Sequence, residues 1–132
     1  MKKILLLAIL IMGIFTLSAC AKDEEAAYTN ISNEELETML LNKDDYNFID
    51  VRTKTEYYEG HILGVTINID FYLLEENHSN LDIFNFDKTK PVVIICNSGN
   101  RSSQASEIFY EEGFTEIYNL EFGIEGWTGE ME

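Results

Sequence analysis

Four consecutive β-branched residues, Val92-Val93-Ile94-Ile95, constrain the fold of this chain more than any other feature. Side chains of a strand point alternately to opposite faces of its sheet, so a strand with no polar residue on either side is buried on both. A sheet covered on both faces needs helical layers. The run is followed, after a short loop, by a helical pattern from Ser102 to Glu112 with Ala105, Ile108 and Phe109 on one face and Gly113 as its stop. Strand, loop and helix in that order form the repeating unit of an α/β fold around a mainly parallel sheet.

The rest of the chain fits the same alternation. Ser32-Asn33-Glu34-Glu35 has the form of a capping box, and Leu36, Met39 and Leu40 follow at helical spacing, which predicts a helix over Asn33 to Leu41. Tyr46 to Val51 reads as a buried strand leading into a polar loop, Val65 to Ile69 as a second strand, and Phe71 to Glu76 as a short helix. Residues 77–90 have no regular pattern, and Pro91 breaks any helix before the apolar run. Glu116 to Leu120 predicts a last strand, and Gly123, Gly126 and Gly129 around Trp127 predict a turn-rich closing segment.

With 132 residues, 45% of them hydrophobic, the chain suits one compact domain, and its apolar content keeps it from disorder in spite of a net charge of −15. That charge excludes a nucleic-acid binder, which needs clustered Lys and Arg to neutralise phosphates. Two cysteines cannot form a multi-bridge scaffold, so each needs its own explanation.

The first belongs to the N-terminus. Lys2 and Lys3 precede an apolar run from Ile4 to Phe15, and Leu17-Ser18-Ala19-Cys20 closes it with small residues. The run is interrupted by Gly13 and is short of the ~20 residues of a membrane span, so an export signal fits better. Leu17 to Cys20 resembles the bacterial lipobox, which implies cleavage before Cys20 and a diacylglycerol on its thiol. The expected organisation is a signal peptide over 1–19, a lipidated tether over 20–27 and a folded domain over 28–132. The mature protein, without Lys2 and Lys3, would carry a net charge of −17 and be held by its lipid at the outer face of the cytoplasmic membrane or at the outer membrane.

Cys96 is the second. In open α/β folds the ligand site lies at the carboxyl edge of the sheet, where a strand hands over to a helix. Cys96-Asn97-Ser98-Gly99-Asn100-Arg101 occupies that place. A tight turn there lets backbone N–H groups converge as an anion-binding nest, with Gly99 permitting the bend. A thiol at the floor of such a nest, partly exposed and facing the positive end of a helix, is favoured as the nucleophilic thiolate. Arg101 adds a permanent cation able to stabilise the thiolate or an anionic group transferred to it. A cysteine ending an apolar strand is also an ordinary site for a small buried hydrophobe. The Gly and Arg that follow, and the helix behind them, are not required by packing and favour function.

Several separate segments share the order and spacing of the single-domain rhodaneses, which the chain resembles from about Ser32 to Trp127. They are Phe48-Ile49-Asp50-Val51-Arg52, Glu56-Tyr57, Gly60-His61-Ile62 with Gly64, Asn68-Ile69, Val92 to Ser102, and Tyr118-Asn119-Leu120 with Trp127. The resemblance implies a three-layer fold, a five-stranded sheet with helices on both faces. It implies a sulfurtransferase in which Cys96 takes sulfane sulfur as a persulfide. Asn97, Ser98, Gly99, Asn100, Arg101 and Ser102 would form the loop around the substrate. The partners implied are a small donor (persulfide, polysulfide or thiosulfate) and a thiol or cyanide acceptor, and no cofactor is called for. A non-catalytic domain that senses persulfide or binds protein with the same loop is the alternative. Two positions depart from the family pattern. Asn97 stands where members that use thiosulfate well often have a basic residue, so thiosulfate is expected to be a poor donor. Phe122-Gly123 stands for a pair of glycines, with an effect expected on local packing alone.

Cysteine phosphatases of related fold place five residues between Cys and Arg, whereas four separate Cys96 from Arg101, too small a cradle for a tetrahedral phosphate. No metal is expected, because His61 and His78 lack companions at ligand spacing, and His61 reads as a structural turn residue. Asp50 and Arg52 either orient the active-site edge or form an ordinary strand-end ion pair.

Overall fold

A computed structural model describes residues 24–132, and the expected signal peptide over 1–19 and the expected lipid attachment at Cys20 lie outside them. The described chain runs through β1 (Thr29–Ile31), α1 (Asn33–Leu40), β2 (Asn47–Asp50), α2 (Lys54–Glu59), β3 (Ile67–Asn68), α3 (Phe71–Glu76), β4 (Val92–Ile95), α4 (Asn100–Glu111) and β5 (Ile117–Leu120). The five strands form one sheet in the order β1-β5-β4-β2-β3, and every pairing in it is parallel. The expected α/β class and five-stranded sheet with helices on both faces are therefore present.

The period of two along β4 divides the core. Val92 and Ile94 pack with Ile49, with Phe71 and Leu74 of α3, and with Ala105 and Phe109 of α4. Val93 and Ile95 pack on the other side with Ile31, Phe48, Leu120 and Leu36 of α1. Cys96 continues the alternation and joins the α3/α4 side, which directs its side chain under the start of α4. That single step of register decides where the thiol goes.

Helix starts follow their caps. The Ser32 hydroxyl accepts from the Glu35 amide while the Glu35 carboxylate accepts from the Ser32 amide, as the sequence predicts for α1. Thr53 and Glu56 form a second capping box that starts α2, a helix the sequence reading leaves out. Only Tyr57 of that six-residue helix is buried, so no apolar period marks it. β1 is also missed, being three residues with only Ile31 buried. The strand expected over Val65 to Ile69 narrows to Ile67–Asn68, because it lies at the sheet edge and pairs with β2 alone. α4 begins at Asn100, two residues before the apolar pattern does, so the expected loop supplies the first turn of the helix.

Candidate active site

The chain leaves β4 at Cys96 and turns within three residues into α4. Gly99 caps that helix with φ +94°, and a Cβ there would lie 2.1 Å from the Glu121 carbonyl oxygen. Only glycine meets both requirements. The Gly99 amide donates to Cys96 Sγ at 3.1 Å, and the Gly99 carbonyl accepts the first helical bond, from the Ser103 amide. The amides of Asn100, Arg101 and Ser102, in the first turn, have no i−4 acceptor within the helix and form its positive end. Ser102 is fully buried, and the Cys96 thiol donates to its hydroxyl at 3.2 Å. Ionisation of the thiol reverses that bond, with Ser102 as donor.

Two sequence expectations are corrected here. Cys96 is 1% exposed, not partly open. The closing segment covers the loop from behind: the Ile124 and Glu125 amides donate to the carbonyls of Cys96 and Asn97, both at 2.9 Å. This contact needs Gly123, whose Cβ would stand 2.4 Å from the Asn97 carbonyl oxygen. The glycine of the Phe122-Gly123 pair thus acts on the loop as well as on local packing, while Phe122 itself is exposed.

Arg101 keeps its charge within reach of Cys96 but is also engaged elsewhere. Its guanidinium makes a two-point ion pair with Glu56 of α2, Nη1 to Oε2 and Nη2 to Oε1, both at 2.8 Å. Glu56 Oε2 also accepts from the Thr53 amide and hydroxyl. Arg101, with Thr53, holds the Glu56 carboxyl down at about 2, well below its ordinary value. Glu56 in turn pushes Arg101 up, so both stay charged across the useful pH range. Glu56 is the partner of Arg101 that the loop motif alone does not disclose. Its available signals were the Glu56-Tyr57 segment of the family resemblance and the capping box Thr53-x-x-Glu56, 45 residues from Arg101 in sequence.

Around this centre, Ser98 and Asn100 are exposed at the mouth of the loop, and the Asn97 side chain donates to Glu125 Oε1 at 2.9 Å. Asp50 and Arg52 lie at the same sheet edge but pair with each other, Nη2 to Oδ2 at 2.8 Å, with Arg52 also donating to the Gly60 carbonyl. They tie β2 to the start of the 60s loop as a buried ion pair, the second of the two expected arrangements, at the same edge as the loop. His61 stacks on Tyr57 at 3.8 Å and shares a two-way backbone bridge with Glu132, a structural role. His78 faces Glu112.

The Glu56 environment predicts a pH-dependent stability. Its carboxyl titrates near 2 in the fold and near 4.5 when unfolded, so the unfolded chain binds more protons between those values. The stabilisation is complete above about 4.5 and is lost as pH falls towards about 2. The Glu56 side chain is 35% exposed, which screens the pair and limits its worth to about 1 kcal/mol. Thermal melts of wild type and Glu56→Gln are therefore expected to differ at neutral pH and to converge on acidification through that window. A gap that stays constant with pH would mean that the carboxylate charge contributes nothing.

Comparison with known proteins gives a consistent result. Residues 32–130 match the family model described as Rhodanese, a rhodanese-like domain. The thiosulfate sulfurtransferase GlpE of Pseudomonas paraeruginosa is 35% identical over 102 residues, covering 70% of this chain and 86% of GlpE. The Escherichia coli protein YibN is 30% identical over 93 residues, covering 70% of this chain and 63% of YibN, so the chain spans less than two thirds of that relative. Among solved structures, a rhodanese-related protein from Thermoplasma volcanium superposes with a TM-score of 0.65 at 30% identity, covering 80% of this chain and 98% of the other.

Proposed function

The chain belongs to the rhodanese family, and from that premise we propose that it is a sulfurtransferase working by a ping-pong mechanism through a persulfide on Cys96. The Cys96 thiolate attacks the outer sulfur of a donor R–S–SH, a Cys–S–S bond forms, and the donor S–S bond breaks with its electron pair leaving on R–S⁻. An acceptor thiolate or cyanide then attacks the outer sulfur of the Cys96 persulfide, and the electron pair of that bond returns to Cys96 as thiolate. With thiosulfate as donor the leaving group is sulfite. The sulfur is carried by the cysteine itself, so the cycle needs no cofactor.

One observation carries the reading: Cys96 Sγ lies beneath the first turn of α4, bonded to the Gly99 amide and to Ser102. The amides of that turn supply fixed positive dipoles where negative charge is carried on the outer persulfide sulfur. The experiment is intact-mass measurement after exposure to an organic persulfide. One added sulfur on Cys96, lost again on addition of cyanide or a thiol, is the expected result, and no added sulfur would refute it. The burial of Cys96 favours one other reading, a domain that takes up sulfur and releases it too slowly for turnover. A persulfide that forms but persists in excess cyanide would select that reading.

The same proposal includes export and lipid anchoring through Cys20, supported by the Leu17-Ser18-Ala19-Cys20 segment. Cys20→Ala is expected to abolish incorporation of a fatty-acid analogue in labelled cells. Equal labelling of wild type and variant would remove Cys20 as the lipid site.

A further inference from the structure

Arg101, in the first turn of α4, is the only cation between Cys96 and Ser102, and its charge is already matched. Two of its five N–H donors go to the two oxygens of Glu56, and Glu56 is anchored from behind by the Thr53 amide and hydroxyl. A two-point arginine–carboxylate pair is among the stronger hydrogen-bonded arrangements a side chain makes. Four other cations of the described chain are engaged elsewhere: Arg52 is buried on Asp50, Lys54 lies over the Tyr58 ring, and Lys88 and Lys90 pair with Asp82 and Asp87 before β4. A second carboxylate, Glu125, holds the Asn97 side chain at the other side of the loop. A doubly charged donor arriving at this mouth meets neutral amides and two carboxylates, and no uncommitted cation in the loop.

We propose that Glu56 is a positioning residue that sets donor specificity: by holding Arg101 it turns the site away from dianionic thiosulfate and towards persulfides of low charge. The proposal rests on the sulfurtransferase reading above. Thiosulfate needs its sulfonate neutralised while the S–S bond breaks and sulfite leaves with two negative charges. A persulfide such as that of cysteine has no sulfonate and expels a singly charged thiolate, for which the α4 amides suffice. Glu56 thus acts on the reaction only through the availability of Arg101.

The test compares thiosulfate with cysteine persulfide as donors and cyanide as acceptor, in the full chain. In Glu56→Gln the amide oxygen keeps an acceptor for Thr53 while the charge is lost and Arg101 is released. The ratio of kcat/KM for thiosulfate to that for cysteine persulfide is expected to rise about tenfold, mainly through KM, the worth of one charged hydrogen bond. Glu56→Asp keeps the charge and is expected to hold the ratio within about threefold of wild type. The gain is expected to vanish in Glu56→Gln/Arg101→Gln. A folded Glu56→Gln with an unchanged ratio, or a gain that survives loss of Arg101, overturns the proposal. Should Glu56→Gln fail to fold, the Arg101 guanidinium nitrogen resonances of Cys96→Ser are followed during thiosulfate titration. Resonances that stay in place support the proposal, and a saturable shift overturns it. Wild type treated with cysteine persulfide separates the two levels. If Cys96 gains no sulfur, the sulfurtransferase reading fails and takes this proposal with it. Sulfur gained with an unchanged ratio in Glu56→Gln refutes this proposal alone.

Discussion

Cys96→Ser is expected to abolish persulfide formation and sulfur transfer, leaving no trace of added mass after treatment with a persulfide donor. A serine hydroxyl can occupy the same place, accepting from the Gly99 amide and pairing with Ser102, so both polar partners of Sγ remain satisfied. The site is buried, and the exchange of sulfur for a smaller oxygen costs packing, but no donor or acceptor is orphaned. Stability should therefore change by only about 1 kcal/mol. Intact mass and thermal melts read the two effects separately. Residual transfer in the serine variant would show that Cys96 is not the nucleophile. Loss of the fold would show that the thiol serves the core, as one more member of the α3/α4 cluster.

The second large effect is expected from the glycines that let the closing segment meet the loop. Gly99→Ala sets a Cβ 2.1 Å from the Glu121 carbonyl oxygen, and Gly123→Ala sets one 2.4 Å from that of Asn97. In both cases the obstacle is backbone, which cannot rotate aside, and both φ angles are positive. Each substitution is expected to cost about 3 kcal/mol and to displace the loop. A displacement of even about 1 Å moves Sγ from the amides of α4 and should slow persulfide formation by about a hundredfold. Gly113→Ala supplies the control: its φ is also positive, but nothing lies within 4 Å of its Cβ and it stands at the far end of α4. It should cost about 1 kcal/mol through backbone strain and leave the rate alone. Melting curves and single-turnover rates of the three variants test this together. Wild-type rates in Gly99→Ala and Gly123→Ala would show that loop placement does not depend on these contacts.

Much of this organisation is legible from local signals. The run Val92 to Ile95 announces a strand buried on both faces, because such a strand needs no partner to be recognised. The capping box at Ser32 and the period of Leu36, Met39 and Leu40 locate α1 to within a residue, and Phe71 to Glu76 is found as expected. The alternation of these elements suffices for the α/β class, and the position of Cys96 after β4 suffices to nominate it. What escapes has little or no apolar period of its own. α2 buries one residue, β1 is an edge strand of three, and each forms because a neighbouring element receives it.

The division is sharpest at the site. Sequence by itself determined that a cysteine would stand between a buried strand and a helix, with a glycine in the turn and an arginine just after it, since those facts depend on neighbours within ten residues. Only the tertiary structure decided the state of the three groups that matter. The thiol is buried because its side chain joins the cluster built by β2, α3 and α4, while the closing segment, 27 residues beyond it, holds the loop by the Cys96 and Asn97 carbonyls. The charge of Arg101 is matched by Glu56, 45 residues earlier. The bond of Asn97 to Glu125 spans 28 residues. Each of these is a contact between parts of the chain that only the closed sheet brings together, and electrostatic interactions act by distance in space, which the order of residues does not reveal.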